Sequence, residues 1–198
     1  MKIKYIIVGV LLFLLVAVSS ASAEELDFSN TPGATDAVSV YATYSGNTLT
    51  IWAEPKGASV ISARIDEIGF NRPLSKVDVT TGGAYNVLDS LGVYWNFKDS
   101  DAQVDGVGKY ASVFHSPGSK ATRVVVTFID NEDIPENAAG FEVAAHVAWT
   151  TNTGTGEGTA DGSAFFAGDS QIPEFPTLAF PVAAILGLLF ITQRRKEN

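Results

Sequence analysis

Strict alternation of apolar and polar residues on both sides of a glycine turn is the feature that most restricts this chain. Val38-Ser39-Val40-Tyr41-Ala42-Thr43-Tyr44 alternates, and so does Thr48-Leu49-Thr50-Ile51-Trp52-Ala53-Glu54, with Ser45-Gly46-Asn47 between them. Successive side chains of a strand point to opposite faces, so a period of two lays one apolar row along one side of a sheet. Two such rows joined by a glycine turn predict a β-hairpin. Its buried face would carry Val38, Val40, Ala42, Leu49, Ile51 and Ala53, with Trp52 opposite in phase.

The same reading continues along the chain. Val60–Phe70 predicts a longer strand ended by Asn71-Arg72-Pro73, and Leu74–Thr80 another, closed by Gly82-Gly83. Val93–Phe97, Gly108–Phe114, Arg123–Ile129, Phe141–Trp149 and Ser163–Ala167 follow, each rich in β-branched or aromatic residues. Between residues 24 and 172 the only helical signal is one turn at Pro135–Ala139. Eight or nine short strands with regular turn signals predict an all-β, antiparallel β-sandwich, either immunoglobulin-like or jelly-roll. Thr150–Gly162 is polar and glycine-rich, either a long hairpin loop or the start of a stalk. Phe165-Phe166 after it favours the loop, because a stalk has no core in which to bury two aromatic rings.

Composition separates the middle of the chain from its ends. Residues 24–172 hold eight basic and twenty acidic residues, a net charge of −12, whereas residues 5–18 and 175–192 carry no charge at all. A middle of that length can enclose a single core. Its acidity, with no basic stripe, excludes nucleic acid as a partner. With no cysteine, disulfides, thiolate catalysis and cysteine-bound zinc are excluded.

Both ends read as addresses. Lys2 and Lys4 precede an apolar run from Tyr5 to Val18 and the small residues Ser19–Ala23. Those are the parts of a secretory signal peptide over residues 1–23, with Ala21 and Ala23 setting cleavage before Glu24. The run is short for a full membrane span of about 20 residues. At the other end stand Pro173-Glu174-Phe175, an uncharged stretch at 177–192 and the basic cluster Arg194-Arg195-Lys196. The stretch predicts a transmembrane helix interrupted by Pro181, with the basic residues 193–198 held on the cytoplasmic side. The expected order is therefore signal peptide 1–23, extracellular sandwich 24–168, linker and motif 169–176, transmembrane helix 177–192 and basic tail 193–198.

This three-part tail resembles the PEF-CTERM sorting signal of archaeal surface proteins and is similar in plan to bacterial PEP-CTERM and LPXTG tails. The resemblance implies an archaeal source and recognition by an archaeosortase, a membrane cysteine transpeptidase. That enzyme would cut near Pro173-Glu174-Phe175 and pass the protein to a lipid or other membrane anchor. Pro173 and Pro176 suit the motif, because proline holds itself and its predecessor extended, as a protease requires. An ordinary uncut single-pass anchor has the same physics. The middle is also similar to passenger domains found before PEP-CTERM-type tails, through Ala144-Ala145-His146-Val147, the glycine-rich 154–162 and Ser163–Ala167. The Gly-Ser-Gly-Trp ending usual in those passengers is absent.

Candidate sites in the middle each have a bland alternative. His115 and His146 fall in separate strands, without a Gly-x-Ser-x-Gly elbow or a His-Glu-x-x-His motif, so no catalytic residues are assigned and no enzymatic activity is expected. Asp99, Asp101 and Asp105 stand at positions 1, 3 and 7 of a loop that could hold calcium, yet Val104 and Tyr110 occupy positions where an EF-hand needs Gly and Glu. They form either an irregular Ca2+ site, shared with Asp130-Asn131-Glu132-Asp133, or plain solvated turns. Trp52 and Trp95 are either outward stacking surfaces for sugar rings or part of the core. These readings predict an exported, surface-anchored structural or adhesive module, or alternatively a carbohydrate-binding one. Its partners would be an archaeosortase, the membrane or lipid anchor, and surface glycans or envelope proteins.

Overall fold

The computed structural model describes residues 23–28, 36–56, 58–152 and 162–170. They are antiparallel β-structure throughout, and among the described residues the only helix is a single 3-10 turn at Leu74–Lys76. The strands are β1 (Glu24–Asp27), β2 (Val38–Ser45), β3 (Thr48–Pro55), β4 (Val60–Phe70), β5 (Val87–Asp89), β6 (Asn96–Asp99), β7 (Ala102–Val104), β8 (Gly108–Tyr110), β9 (Ser112–His115), β10 (Arg123–Thr127), β11 (Val143–Thr151) and β12 (Gly162–Ser170). Ten of them form one continuous sheet in the order β5-β10-β3-β2-β1-β12-β11-β4-β9-β6, while β7 and β8 pair separately.

That sheet curls on itself. Trp95 N donates to Val87 O at 2.8 Å and Tyr94 bridges Leu88, so the chain passes directly from edge strand β5 into edge strand β6. On the other side Ala53 N donates to Thr122 O and Ile65 N to Ala121 O, both at 2.9 Å, which ties β3 to β4 through the segment before β10. Two five-stranded halves thus face each other, with β1 joining them between β2 and β12. The inner rows meet in one core. Phe128 packs edge-on against Phe70 at 5.4 Å, and Phe114 contacts Phe70, Tyr85 and Phe97 at 5.6–5.8 Å. Each large apolar side chain fully buried here contributes about 1.5–3 kcal/mol, which supports a fold that has no disulfide.

The alternating hairpin is β2–β3, in register from Val38 opposite Pro55 to Ser45 opposite Thr48. The six expected inward residues are all buried, and Tyr44 continues their row. Gly46, first residue of the two-residue turn, has φ +60°, the positive value that the tight hairpin turns favour. The expected strand at Leu74–Thr80 is instead the 3-10 turn followed by isolated bridges at Val77 and Val79. Pro73 before it offers no amide to a ladder. Gly108–Phe114 is two strands, broken at Ala111.

β11 and β12 pair antiparallel from Val143 opposite Gly168 to Trp149 opposite Gly162; most of the expected loop or stalk at Thr150–Gly162 lies outside the described residues. β12 extends to Ser170, two residues past the domain boundary expected at 168. Leu26 lies opposite Ser170, and Asp27 opposite Asp169. The described chain therefore enters the sheet and leaves it at the same end.

One half of the sheet is covered on both faces. The β7–β8 hairpin folds over the outer side of β4, β9, β11 and β12, where Val104, Val107 and Tyr110 bury Val113, Ala144 and Ala167. That explains why Val143-Ala144-Ala145 is continuously apolar, since a strand buried on both sides does not alternate. Gly69 belongs to the same contact: a Cβ there would lie 3.0–3.2 Å from the Tyr110 ring.

Candidate functional site

The most elaborate polar arrangement stands beside the end where the chain leaves the sheet. Arg72, just after β4, is 2% exposed and lies over the Phe128 ring at 4.5 Å. Its guanidinium donates to Tyr44 Oη at 3.2 Å and pairs with Asp130 Oδ1. Lys76 from the 3-10 turn reaches Asp130 Oδ2 at 2.7 Å and Glu132 Oε2 at 3.2 Å. Tyr44 Oη in turn donates to Glu132 O at 2.7 Å. Burial raises the Tyr44 phenol above its ordinary range, against the opposing pull of Arg72. The carboxylates expected to share a cation in Asp130–Asp133 thus already carry two side-chain cations. An acidic turn flanked by apolar strands was a sign that counter-charges would come from elsewhere, but spacing did not point to Arg72 and Lys76, more than fifty residues earlier.

The other proposed calcium ligands do not gather. Asp99, Asp101 and Asp105 are all exposed. Asp99 accepts the Ser100 amide at 2.8 Å, and Asp101 Oδ2 lies 3.5 Å from Lys109 Nζ. Among the described residues no three His, Asp or Glu side chains form a metal cluster. The segment is the approach to the β7–β8 hairpin, where Asp101, at φ +53°, turns the chain. Asp is among the side chains that tolerate that conformation.

The two candidate stacking tryptophans part company. Trp95 is 3% exposed and donates its indole N–H to Asp89 Oδ2 at 3.3 Å. A buried ring offers no face to a sugar, so of the two readings the stacking one fails for Trp95, which is a core residue. Its partner Asp89 accepts the Leu91 and Val93 amides at 2.9 and 3.0 Å. Burial would raise this carboxyl, but the hydrogen bonds from Ser119, Val93, Leu91 and Trp95 outweigh it and hold the group below its ordinary value. Trp52 is half-buried on the outer face of β3 and stacks on its cross-strand neighbour Tyr41, with ring centroids 5.3 Å apart. Arg123 of β10 is next in that row.

The histidines share a row as well. Phe165, His146, Glu67, His115 and Asn96 lie opposite one another across β12, β11, β4, β9 and β6. His146 stacks on Phe165 at 4.4 Å, and Glu67 is bound by Lys98 at 2.5 Å. Glu67 is thus committed to a surface ion pair.

The processing residues fall elsewhere. Ala23 and the start of β1 at Glu24 are described, whereas Ala21, Pro173, Glu174, Phe175, Arg194, Arg195, Lys196 and the expected helix at 177–192 lie outside the described residues. No helix among the described residues is long and apolar enough to cross a membrane.

Comparison with known proteins decides the nature of the tail. Residues 172–196 match the family model described as the PEF-CTERM archaeal protein sorting domain. The tail is a PEF-CTERM sorting domain. The match begins two residues after β12 ends and spans the Pro-Glu-Phe motif, the apolar stretch and the basic cluster. A PEF-CTERM domain marks a secreted protein sorted through its C-terminal region to the cell surface, and such domains are processed by archaeosortases. No curated protein matches the chain. No solved structure matches it either.

Proposed function

We propose that this protein is a structural or adhesive module of the archaeal cell surface, exported by a signal peptide over residues 1–23 and handed by an archaeosortase to a membrane anchor. The observation that carries the reading is the PEF-CTERM domain starting at residue 172, directly behind a closed β-domain whose last strand ends at Ser170. Four features support a passive rather than a chemical role for that domain. It is a sandwich-like, antiparallel body with a continuous core. Its histidines stand in a row with a carboxylate held by Lys98. It needs no disulfide. Its net acidity favours solubility in salt-rich surroundings, where self-repulsion is screened. In this reading Glu174 and its neighbours are a site where the protein is substrate, not catalyst.

The test is replacement of Pro173, Glu174 and Phe175 together by alanine, with the tail length kept. The expected result is a protein that is exported yet keeps residues 177–198 and stays in the membrane fraction as a larger species. If the triple variant is trimmed and anchored like the parent, the motif is not the processing site.

A further inference from the structure

The first strand of the domain begins where the signal peptide is expected to end. Glu24, the residue after the expected cut, is the first residue of β1, and Ala23 before it is exposed. β1 is firmly held. It lies between β2 and β12, with Glu24, Glu25 and Leu26 opposite Tyr44, Thr43 and Ala42, and Leu26 and Asp27 opposite Ser170 and Asp169. Leu26 is 2% exposed and Phe28 5%, and both belong to the main core.

The surroundings of Glu24 are fixed as well. Its cross-strand neighbour Tyr44 donates its hydroxyl to Glu132 O at 2.7 Å. Close by in the β2–β3 turn, Asn47 Nδ2 donates to Phe128 O at 2.9 Å, and Asn47 O accepts the Phe128 amide at 2.8 Å. These bonds tie the turn to the segment that follows β10. Consecutive Cα atoms are about 3.8 Å apart, so the Ala23–Glu24 bond stands within one residue of the end of the sheet. A peptidase grips the residues around the bond it cuts as an extended strand, through their main-chain groups. In the folded domain the main chain of residues 24–27 is already engaged by β2 and β12.

We propose that the Ala23–Glu24 bond is cut only while β1 is undocked, so that removal of the signal peptide precedes closure of the sheet. The cut is a hydrolysis. It consumes one water and leaves a carboxylate on Ala23 and an ammonium on Glu24. β1 is the strand that joins the two halves, between β2 and β12, so closure across that seam follows the cut. Docking then fixes the base of the sorting domain. The ladder between β11 and β12 reaches Gly168, and beyond it Asp169 and Ser170 pair with β1. The two residues at the end of β12 are thus held by the strand whose N-terminus the cut creates. The proposal rests on the reading of residues 1–23 as a signal peptide and goes beyond it by fixing when that peptide is removed.

The experiment uses the full chain with its signal peptide and a purified type I signal peptidase, with cutting followed by intact mass. The parent is offered to the peptidase during synthesis and, separately, after folding and purification in detergent. Two folded variants are compared with it. One carries an inserted Glu-Glu-Gly-Ser-Gly-Ser after Ala23, which keeps the residues flanking the bond and leaves β1 intact. The other is Leu26→Asp, which puts a charge where β1 is buried. The expected result is that the nascent parent is cut, while the folded parent is cut about a hundredfold more slowly than the spacer variant, because opening β1 exposes two large apolar side chains. Leu26→Asp should be cut nearly as fast as the spacer variant. A folded parent cut as fast as the spacer variant overturns the proposal and leaves the signal-peptide reading standing. If neither the nascent parent nor the spacer variant is cut, that reading fails and the proposal falls with it.

Discussion

The two ends of the domain use the same residue types in opposite ways. Beside the exit of β12, Arg72 and Lys76 are locked by Asp130, Glu132 and Tyr44, and the arginine is almost fully buried against Phe128. At the opposite end of β4, Lys120 borders Ser62 and Arg64, is exposed, and has no carboxylate within 4.0 Å among the described residues. A buried cation is costly unless every donor is answered, and removing one partner leaves an uncompensated charge. An exposed cation costs almost nothing and is available to a ligand. The difference teaches where stability and where recognition are to be sought in a domain with so few positive charges.

Four substitutions break or sharpen that comparison. The largest effect is expected for Asp130→Ala, which leaves the buried Arg72 guanidinium without its carboxylate; a loss of about 3–5 kcal/mol is predicted, read from urea unfolding. Gly69→Ala probes the doubly covered half of the sheet, since its methyl must push the Tyr110 ring away. A cost of about 1–3 kcal/mol is expected, visible as a lower thermal midpoint. Asp89 sharpens the picture by pH. Its folded carboxyl lies below the ordinary value of 3.8, so its contribution is present above that value and is lost as pH falls through the folded one. Asp89→Asn should therefore flatten the acid limb of the stability curve, at a cost near neutrality of about 1–3 kcal/mol. Smallest of all is Lys120→Gln, expected to change stability by less than about 0.5 kcal/mol. Measurable destabilisation there would mean that the far-end cation is structural too, and the contrast would fail.

The hairpin of β2 and β3 was legible in the sequence to within a residue, because one face is dry and the other wet and the alternation reports both. β4 and β11 were legible as strands, but the reason for the unbroken apolar run Val143-Ala144-Ala145 in β11 was not. That reason is the β7–β8 hairpin, drawn from an acidic segment that resembled a metal loop. Asp at alternate positions arises equally from turn preference and from cation binding, so the residues alone did not separate the two. β1 and β5 were missed because strands of three or four residues are too short for a period to register. Trp95 and Trp52 show the limit of phase arguments. The first sits just before β6 in irregular backbone, where alternation predicts nothing, while the second sits mid-strand and points outward as its phase requires. Long-range partners such as Arg72 with Asp130 leave no local mark. The sorting tail, by contrast, was legible in full, since its motif, apolar stretch and basic cluster are consecutive in the chain.

The central claim, that this β-domain is displayed by processing at both ends, is tested most directly by the intact mass of the protein extracted from its own membranes. The account predicts a chain beginning at Glu24 and ending near Pro173-Glu174-Phe175, carrying the added mass of an anchor. A mass that runs from Glu24 through Asn198 with nothing added would contradict it and leave a single-pass membrane protein whose sorting domain is never used.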